Sequence, residues 1–282
     1  MYNAFEGDIM SESNCSGNCA TCSSNCKDRK QEDFFEPTGE FNIIKHVVAV
    51  VSGKGGVGKS AVTAMLAVLL SRKGYKVGIL DADITGPSIP KAFGITAPAM
   101  QNEMGIIPAQ TENGIKIISV NMMLKEHDQP VVWRGPVIAG LVKQFWQQVV
   151  WGELDYLLID CPPGTGDVPL TVFQTIRLDG AVVVTTPQDL VSLIVKKALN
   201  MAKLMNINVL GVVENMSYVV CPDCGKKFSV FGESGDKYSE LGIKLLGSMP
   251  IDPNLAAMID CGAVERISGD FLNAAVSEIE KL

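Results

Sequence analysis

A glycine loop that contains two lysines is the segment of this sequence with the most specific chemistry. It reads Gly53-Lys54-Gly55-Gly56-Val57-Gly58-Lys59-Ser60, after an apolar run that predicts a strand and before a stretch that predicts a helix. Glycines allow successive backbone N–H groups to face phosphate oxygens, and a helix N-terminus adds partial positive charge. Lys59 can reach the β and γ phosphates of a nucleotide, and the Ser60 hydroxyl can ligate Mg²⁺. The loop therefore predicts a nucleotide site of the P-loop type.

A dinucleotide-binding loop is the nearest alternative to this interpretation. The glycines Gly53-x-Gly55-x-x-Gly58 also match that looser pattern. However, Lys59 and Ser60 supply a cation and a metal-ligating hydroxyl that a dinucleotide site does not require. The P-loop interpretation is therefore favoured.

Three aspartates at the ends of apolar runs are candidates for metal and water chemistry. Asp81 and Asp83 follow Ile79-Leu80, and Asp160 ends the run Tyr156-Leu157-Leu158-Ile159. Open α/β sheets bind ligands at the carboxyl ends of their strands. We expect Asp83 to orient the attacking water, Asp81 to support Mg²⁺, and Asp160 to be the strand-end carboxylate that P-loop enzymes place near Mg²⁺. For Asp81 and Asp83 the alternative is a structural cap of a turn into a helix.

The segment after Asp160 has the composition of a conformational switch. It reads Cys161-Pro162-Pro163-Gly164-Thr165-Gly166-Asp167, a rigid turn with two glycines. Such a turn suits a switch that senses the γ-phosphate through backbone N–H groups. We expect Cys161 itself to pack in the core.

Two groups of cysteines have the spacing of metal ligands. Cys221-Pro222-Asp223-Cys224 offers two thiolates, which leaves a tetrahedral zinc or a 4Fe-4S cluster half ligated, so a two-fold homodimer would supply the other pair. The tail contains Cys15, Cys19, Cys22 and Cys26, four thiols that suffice for an iron–sulfur or zinc site within one chain. Zinc is the alternative at either place. We expect Cys261, near a helix end, to be a buried thiol.

Charge and composition limit the partners of the protein. There are 24 basic and 31 acidic residues, which gives a formal net charge of −7, so phosphate backbones are not attracted in general. No apolar run approaches the roughly 20 residues that span a bilayer, and residues 1–14 contain no secretory signal pattern. We therefore expect a cytoplasmic protein without a nucleic-acid or membrane partner.

The elements that position these residues alternate along the chain. Short β-branched runs predict strands at about 45–51, 76–81, 115–120, 155–160, 180–185, 209–214 and 244–248. Helices are predicted near 58–73, 136–150, 168–177, 188–205, 234–241, 253–260 and 270–281. This alternation predicts an α/β protein, a three-layer P-loop NTPase fold with a mostly parallel sheet flanked by helices. Residues 1–40 are predicted to be a flexible, cysteine-rich tail, and residues 41–282 the P-loop ATPase domain.

The glycine loop resembles that of the deviant P-loop ATPases, whose loops read K-G-G-x-G-K-[ST]. The motifs together are similar to the Mrp-type iron–sulfur cluster carriers: the glycine loop, Asp81-Ala82-Asp83 with Gly86-Pro87-Ser88, Asp160 with Pro162-Pro163-Gly164, Val213-Glu214-Asn215-Met216-Ser217, and Cys221-x-x-Cys224. The resemblance covers about residues 40 to 265. The four tail cysteines are more closely spaced than those of the related eukaryotic scaffolds.

The resemblance implies a function and several residue roles. It implies a homodimer that binds ATP and Mg²⁺, holds a bridging 4Fe-4S cluster at Cys221 and Cys224, and transfers clusters to apoproteins with slow ATP hydrolysis. Lys54 would reach the partner's nucleotide, as an arginine finger does. Asn215 would contact the adenine, although it also fits an ordinary strand-end asparagine.

Other functions fit parts of the same sequence. A positioning or partition ATPase shares the deviant P-loop, and a zinc-binding P-loop ATPase shares the cysteines. Electron transfer like that of the nitrogenase iron protein is disfavoured because its cluster cysteines lie far apart in sequence. Cys15-x3-Cys19-x2-Cys22 also fits the radical S-adenosylmethionine string, but it lies in a polar tail before a P-loop domain.

Overall fold

The computed structural model describes residues 35–83, 88–123, 135–164, 166–188, 191–231 and 237–282. The predicted tail site at Cys15, Cys19, Cys22 and Cys26 lies outside the described residues, as do Gly86, Pro87 and Thr165 of the sequence motifs. The described residues form one compact unit that begins at Phe35.

Eleven strands and eight helices make up the described part of the chain. The strands are β1 Ile43–Ser52, β2 Val77–Asp81, β3 Met100–Asn102, β4 Gly105–Ile107, β5 Ala109–Gln110, β6 Lys116–Ser119, β7 Glu153–Asp160, β8 Gly180–Thr185, β9 Val209–Val220, β10 Lys227–Phe228 and β11 Leu245–Pro250. The helices are α1 Lys59–Arg72, α2 Ser88–Ala92, α3 Gly135–Gln148, α4 Asp167–Thr175, α5 Val191–Leu204, α6 Lys237–Glu240, α7 Pro253–Asp260 and α8 Asn273–Ile279.

Nine of these strands form one sheet in the order β10-β9-β8-β1-β7-β2-β6-β5, with β11 also paired to β9. All pairs are parallel except β9–β10 and β5–β6. From Val47 to Val51 the central strand β1 is buried on both faces, which is why this part of its sequence is a continuous apolar run rather than an alternating one. Val48 and Val50 pack on the side of α1 and α8, and Val47, Ala49 and Val51 on the side of α3, α4 and α5. The predicted three-layer α/β fold is confirmed.

The parallel topology brings the carboxyl ends of the central strands to one edge of the sheet. Asp81 of β2 lies beside Asp160 of β7, and Asp160 lies beside Val50 of β1. On the other side of β1, Thr185 of β8 lies beside Glu214 of β9. The glycine loop and both strand-end carboxylates therefore meet at this edge, as expected for an open α/β sheet.

The structure corrects the end predicted for β9. The sequence predicts a strand that ends near Asn215, but β9 continues to Val220 and pairs there with β10. Asn215-Met216-Ser217 is instead an irregular stretch within the strand, with Met216 at φ 56°. The short elements α2, β3, β4, β5 and β10 were not predicted, since runs of two to five residues carry little periodicity. Of the predicted helix 234–241, the structure describes Lys237–Glu240, and residues 232–236 lie outside the described residues.

The segment before β1 is held against the domain by hydrogen bonds. The backbone N–H of Glu36 donates to the carbonyl of Thr175 (2.9 Å), and Trp146 Nε1 donates to the carbonyl of Glu36 (2.8 Å). The buried Asn42 donates through Nδ2 to the carbonyl of Val149 (2.9 Å). Its Oδ1 accepts from the backbone N–H groups of Trp151 (2.7 Å) and Gly152 (3.1 Å). One carboxamide thus fixes the chain that leads into β1.

Asn42→Ala is expected to lower the free energy of unfolding by about 2 kcal/mol, because it leaves buried backbone groups without partners. The measurement is chemical denaturation of the full-length chain. Asn102→Ala is the matched control, since the exposed Asn102 Oδ1 also accepts two backbone N–H groups, from Met104 (2.9 Å) and Gly105 (3.2 Å). An equal loss of stability in both variants would contradict the role assigned to Asn42.

Candidate functional site

The turn of the glycine loop depends on two glycines in the left-handed region. Gly56 and Gly58 both have φ 77°, and Gly58 is the N-cap of α1. A Cβ atom added to Gly58 would lie 2.1 Å from Asn215 Nδ2, whereas one added to Gly56 would contact nothing within 4 Å. The loop therefore requires glycine at Gly58 for both its backbone conformation and its contact with β9.

Lys59 lies buried at the start of α1 between two carboxylates. Its Nζ is 2.8 Å from Asp160 Oδ2 and 3.7 Å from Asp83 Oδ2. Burial lowers the pKa of Lys59, but the charges of Asp160, Asp83 and Asp81 and the hydrogen bond to Asp160 outweigh it, so the pKa is raised overall. The lysine therefore remains a cation beside the glycine loop.

Asp160 connects β7 to the first turn of α1. Its Oδ2 accepts a hydrogen bond from Ser60 Oγ (2.6 Å), and its Oδ1 accepts one from Thr63 Oγ1 (2.7 Å). Sequence analysis predicted Ser60 and Asp160 but missed Thr63, which could have been found from its position one helical turn after Lys59. The pair Ser60 and Asp160 fits an Mg²⁺ site in which the hydroxyl is the ligand and the carboxylate orients it.

Asp81 lies behind this pair rather than in it. The side chain is fully buried, its Oδ1 accepts from the N–H of Asp83 (3.0 Å), and its Oδ2 accepts from Ser119 Oγ (2.8 Å). Burial, together with the charge of Asp160, raises the pKa of Asp81 well above its usual value. Asn121, which sequence analysis also missed, donates through Nδ2 to the carbonyl of Asp83 (3.2 Å). These contacts fix the backbone from which Asp83 faces Lys59.

Lys54 does not join the Lys59 cluster. Its Nζ donates to Gln188 Oε1 (2.7 Å), just beyond the end of β8, and its carbonyl accepts from Ser52 Oγ (3.1 Å). In the predicted switch turn, the N–H of Gly164 donates to the carbonyl of Ser52 (2.8 Å). Cys161 is buried, and burial raises its pKa to about 12, which agrees with the predicted packing role.

Asn215 lies against the glycine loop. It is buried, and its Nδ2 donates to the carbonyl of Val57 (3.0 Å). Its Oδ1 accepts from the N–H of Met216 (2.9 Å). Asn215 therefore contacts the loop directly, and its contact with an adenine stays a prediction.

Cys221 and Cys224 lie in the turn of the β9–β10 hairpin. The N–H of Cys221 donates to the carbonyl of Lys226 (3.0 Å), and the N–H of Gly225 donates to the carbonyl of Cys221 (2.9 Å). Cys221 is half-buried and Cys224 is exposed, and both are free thiols. The backbone amides of Cys224 and Asp223 lower the pKa of Cys221, which favours the thiolate. Among the described residues no three potential metal ligands lie together, so this pair stands as a two-thiol site.

Cys261 is exposed, so the prediction that it is a buried thiol is wrong. It caps the carboxyl end of α7, a helix that has no fully buried residue. Its Sγ lies 3.4 Å from the carbonyl of Met258. The apolar residues of α7 suggested burial, but this helix covers only the rim of the core.

The family model described as NUBPL iron-transfer P-loop NTPase matches residues 43–281. The chain is 51% identical over 232 residues to the iron–sulfur cluster carrier protein of Clostridium perfringens, which covers 79% of this chain and 81% of the relative. These matches confirm the resemblance that the sequence motifs indicated. Within the described residues, no helix is long and apolar enough to cross a membrane.

Solved structures share the fold. The nucleotide-binding protein of Archaeoglobus fulgidus in complex with ADP is similar with a TM-score of 0.72 and 47% identity, over 81% of this chain and 90% of that chain. The cell division ATPase MinD of Pyrococcus furiosus is similar with a TM-score of 0.62 over 84% of this chain and 98% of that chain. Its identity is 23%, so this second likeness concerns the fold alone.

Gly58→Ala is expected to weaken nucleotide binding by about 5- to 150-fold, because the new Cβ must displace Asn215 or the loop at a cost of about 1 to 3 kcal/mol. Calorimetric titration with Mg²⁺-nucleotide measures the effect. Gly74→Ala is the matched control, since Gly74 has φ 91° but a Cβ there would contact nothing within 4 Å. The control should lose about 1 kcal/mol of stability through backbone strain and keep its affinity. Normal affinity in Gly58→Ala would contradict the packing of Asn215 against the loop.

Proposed function

The chain belongs to the NUBPL iron-transfer P-loop NTPase family, and from this premise we propose that it is an ATP-dependent carrier of 4Fe-4S clusters. It binds ATP and Mg²⁺ at the glycine loop, holds a cluster at Cys221 and Cys224, and transfers it to apo iron–sulfur proteins in the cytoplasm. One observation carries the proposal. The strand whose Asn215 contacts the glycine loop continues directly into the hairpin that presents both thiols.

The two-thiol site requires a second chain. A 4Fe-4S cluster takes four protein thiolates, and the hairpin supplies two. In the proposed homodimer a two-fold axis passes between the hairpins, so each protomer contributes an equal half of the site. The exposed apolar side chains beside the cysteines support this contact, since such a patch is typical of an interface. They are Val220, Phe228, Val230 and Phe231.

The residues at the sheet edge bind and orient the nucleotide. The loop amides and Lys59 would hold the phosphates, and Ser60 and Asp160 would hold Mg²⁺, whose charge would neutralise that of the phosphates. Asp83, placed by the Asp81 and Asn121 hydrogen bonds, orients the attacking water and accepts its proton. Lys54 leaves Gln188 and approaches the partner's nucleotide, where its charge stabilises the transferring phosphoryl group.

The double variant Cys221→Ser/Cys224→Ser is expected to lose the bridging cluster. Anaerobic reconstitution with iron and sulfide, followed by absorption spectroscopy and transfer to an apoprotein, measures the loss. Cys261→Ser is the matched control, because Cys261 is an exposed thiol outside the hairpin. A third variant that lacks Cys15, Cys19, Cys22 and Cys26 separates any tail cluster from the hairpin cluster.

Two results would overturn the carrier function. One is normal cluster donation by the hairpin double variant, and the other is zinc displacing iron at both cysteine groups under reconstitution conditions. The second result would favour the zinc-binding ATPase, because two thiols in one hairpin turn also suit half of a tetrahedral zinc site.

Lys54→Ala is expected to keep nucleotide affinity but to lower the rate of ATP hydrolysis by at least about tenfold, because it removes a cation that acts in the transition state. Phosphate release and calorimetric titration measure the two quantities separately. Lys91→Ala is the control, since Lys91 forms an exposed ion pair with Asp260 (2.9 Å) away from the glycine loop. Unchanged hydrolysis in Lys54→Ala would exclude the role across the dimer.

A further inference from the structure

One buried carboxylate, that of Glu214, accepts hydrogen bonds from residues on both sides of the chain segment that carries Cys221 and Cys224. Glu214 is 1% exposed in the middle of β9. Its Oε2 accepts a hydrogen bond from Ser217 Oγ (2.5 Å), which lies just before the hairpin. Its Oε1 accepts one from Tyr238 OH (2.7 Å), which lies on α6 after the hairpin. The hydrogen bonds of Glu214 therefore close the loop of chain from which the two cysteines project.

An irregular stretch of β9 separates Glu214 from the hairpin. Glu214 lies opposite Ser248 of β11, and Tyr218 lies opposite Pro250, so three residues of β9 face a single residue of β11. Met216, the middle one of the three, has φ 56°, a left-handed conformation that a side chain such as methionine rarely adopts. Such bulges redirect a strand and are common beside functional sites. The direction in which the hairpin leaves the sheet is set here.

The first residue of the bulge contacts the nucleotide loop. Asn215 donates to the carbonyl of Val57, and its Nδ2 occupies the space beside Gly58. Glu214 and Asn215 are neighbours in sequence. Glu214 therefore holds both ends of the cysteine segment, while Asn215 contacts the phosphate-binding turn.

Burying the side chain of Glu214 within β9 costs free energy, because burial disfavours a carboxylate unless hydrogen-bond donors compensate for the lost water. Burial and the hydrogen bond to Glu214 raise the pKa of Tyr238, so the phenol stays protonated at neutral pH and keeps donating. A hydrogen-bonded network of this kind fixes one arrangement of its members. Through these hydrogen bonds Glu214, the sequence neighbour of Asn215, contacts residues on both sides of the cysteine segment.

We propose that Glu214, held by Ser217 and Tyr238, is a positioning residue that couples the nucleotide loop to the Cys221-x-x-Cys224 hairpin. This inference deepens the proposed function and rests on it, since it assigns the element through which nucleotide binding changes the presentation of the thiols. A shift of the Val57 carbonyl on nucleotide binding displaces Asn215 and the bulge. The Glu214 hydrogen bonds then transmit the displacement to the whole hairpin rather than to one of its strands.

Tyr238→Phe tests this coupling, because it removes one donor and leaves the nucleotide loop and the cysteines intact. The readout is the alkylation rate of Cys221 and Cys224 in the full-length chain, resolved by peptide mass spectrometry and normalised to Cys261. Rates are compared with and without Mg²⁺ and a non-hydrolysable ATP analogue. We expect the nucleotide to change the wild-type rate by about fivefold or more, the lower end of typical coupling between sites. The variant should lose this change while its nucleotide affinity stays within about twofold.

Tyr75→Phe is the matched control, since Tyr75 OH also donates to a glutamate, Glu280 Oε1 (3.1 Å), but far from the hairpin in sequence and on the α8 side of the core. It should respond to nucleotide as the wild type does. Ser217→Ala is a second test that leaves Tyr238 in place, and Glu214→Gln, which keeps one acceptor oxygen, should retain part of the response. A purely structural role would lower the melting temperature and leave the nucleotide dependence unchanged.

The coupling is overturned if Tyr238→Phe and Ser217→Ala respond to nucleotide like the wild type, or if the wild type itself does not respond. These outcomes are independent of iron and sulfide, because alkylation is measured on thiols without a cluster. Failure of cluster reconstitution with a normal alkylation response would overturn the carrier function and leave the coupling intact. A chain that reconstitutes clusters but whose alkylation rate does not change with nucleotide would overturn the coupling and leave the carrier function intact.

Discussion

The buried carboxylate of Asp160 is the interaction on which the nucleotide site depends. It accepts hydrogen bonds from Ser60 and Thr63 and forms an ion pair with Lys59, so it ties the carboxyl end of β7 to the first turn of α1. Burying charges in this way has a large desolvation cost, which only complete hydrogen bonding offsets. Breaking such a pair leaves an uncompensated charge, so the site is stable only as a whole. The position of Lys59 at the glycine loop follows from this requirement.

The parallel sheet places the contacts of Asp160 beside the carboxyl ends of the other central strands. Because β1, β2, β7, β8 and β9 run in the same direction, their carboxyl ends meet at one edge. Four of these strands end at that edge in loops or turns, whereas β9 continues through a bulge to Val220. The strand β9 thus connects the phosphate-binding turn to the two cysteines of the hairpin. Its antiparallel pairing with β10 keeps the extension ordered without further core.

Much of this arrangement could be predicted from sequence, because buried parallel strands and glycine loops leave strong local patterns. The strands β1, β2, β7 and β8 and the helix α1 were placed within two residues, and Lys59, Ser60 and Asp160 lie in contact with one another. The remaining features depend on contacts between distant segments. Nothing near Tyr238 in sequence indicates a hydrogen bond to Glu214, and Asn215 and Ser217 interrupt the apolar run of β9, which hides the continuation of the strand. The prediction for Cys261 was wrong for a related reason, since a position near a helix end does not reveal whether the core covers it.

Within the described residues, Cys221 and Cys224 supply only half of the ligands of a tetrahedral metal or cluster site, and this bears on function. A structural zinc site closes four ligands within one chain and is part of the folding energy of that chain. Two thiols in a surface hairpin contribute no comparable folding energy to this chain, because its core lies on the two faces of the sheet and contains neither cysteine. How firmly two such hairpins hold a shared cluster depends on the relative orientation of the two protomers. In the proposed carrier, Lys54 and the glycine loop respond to the same orientation, so one movement of the dimer can govern both hydrolysis and cluster release.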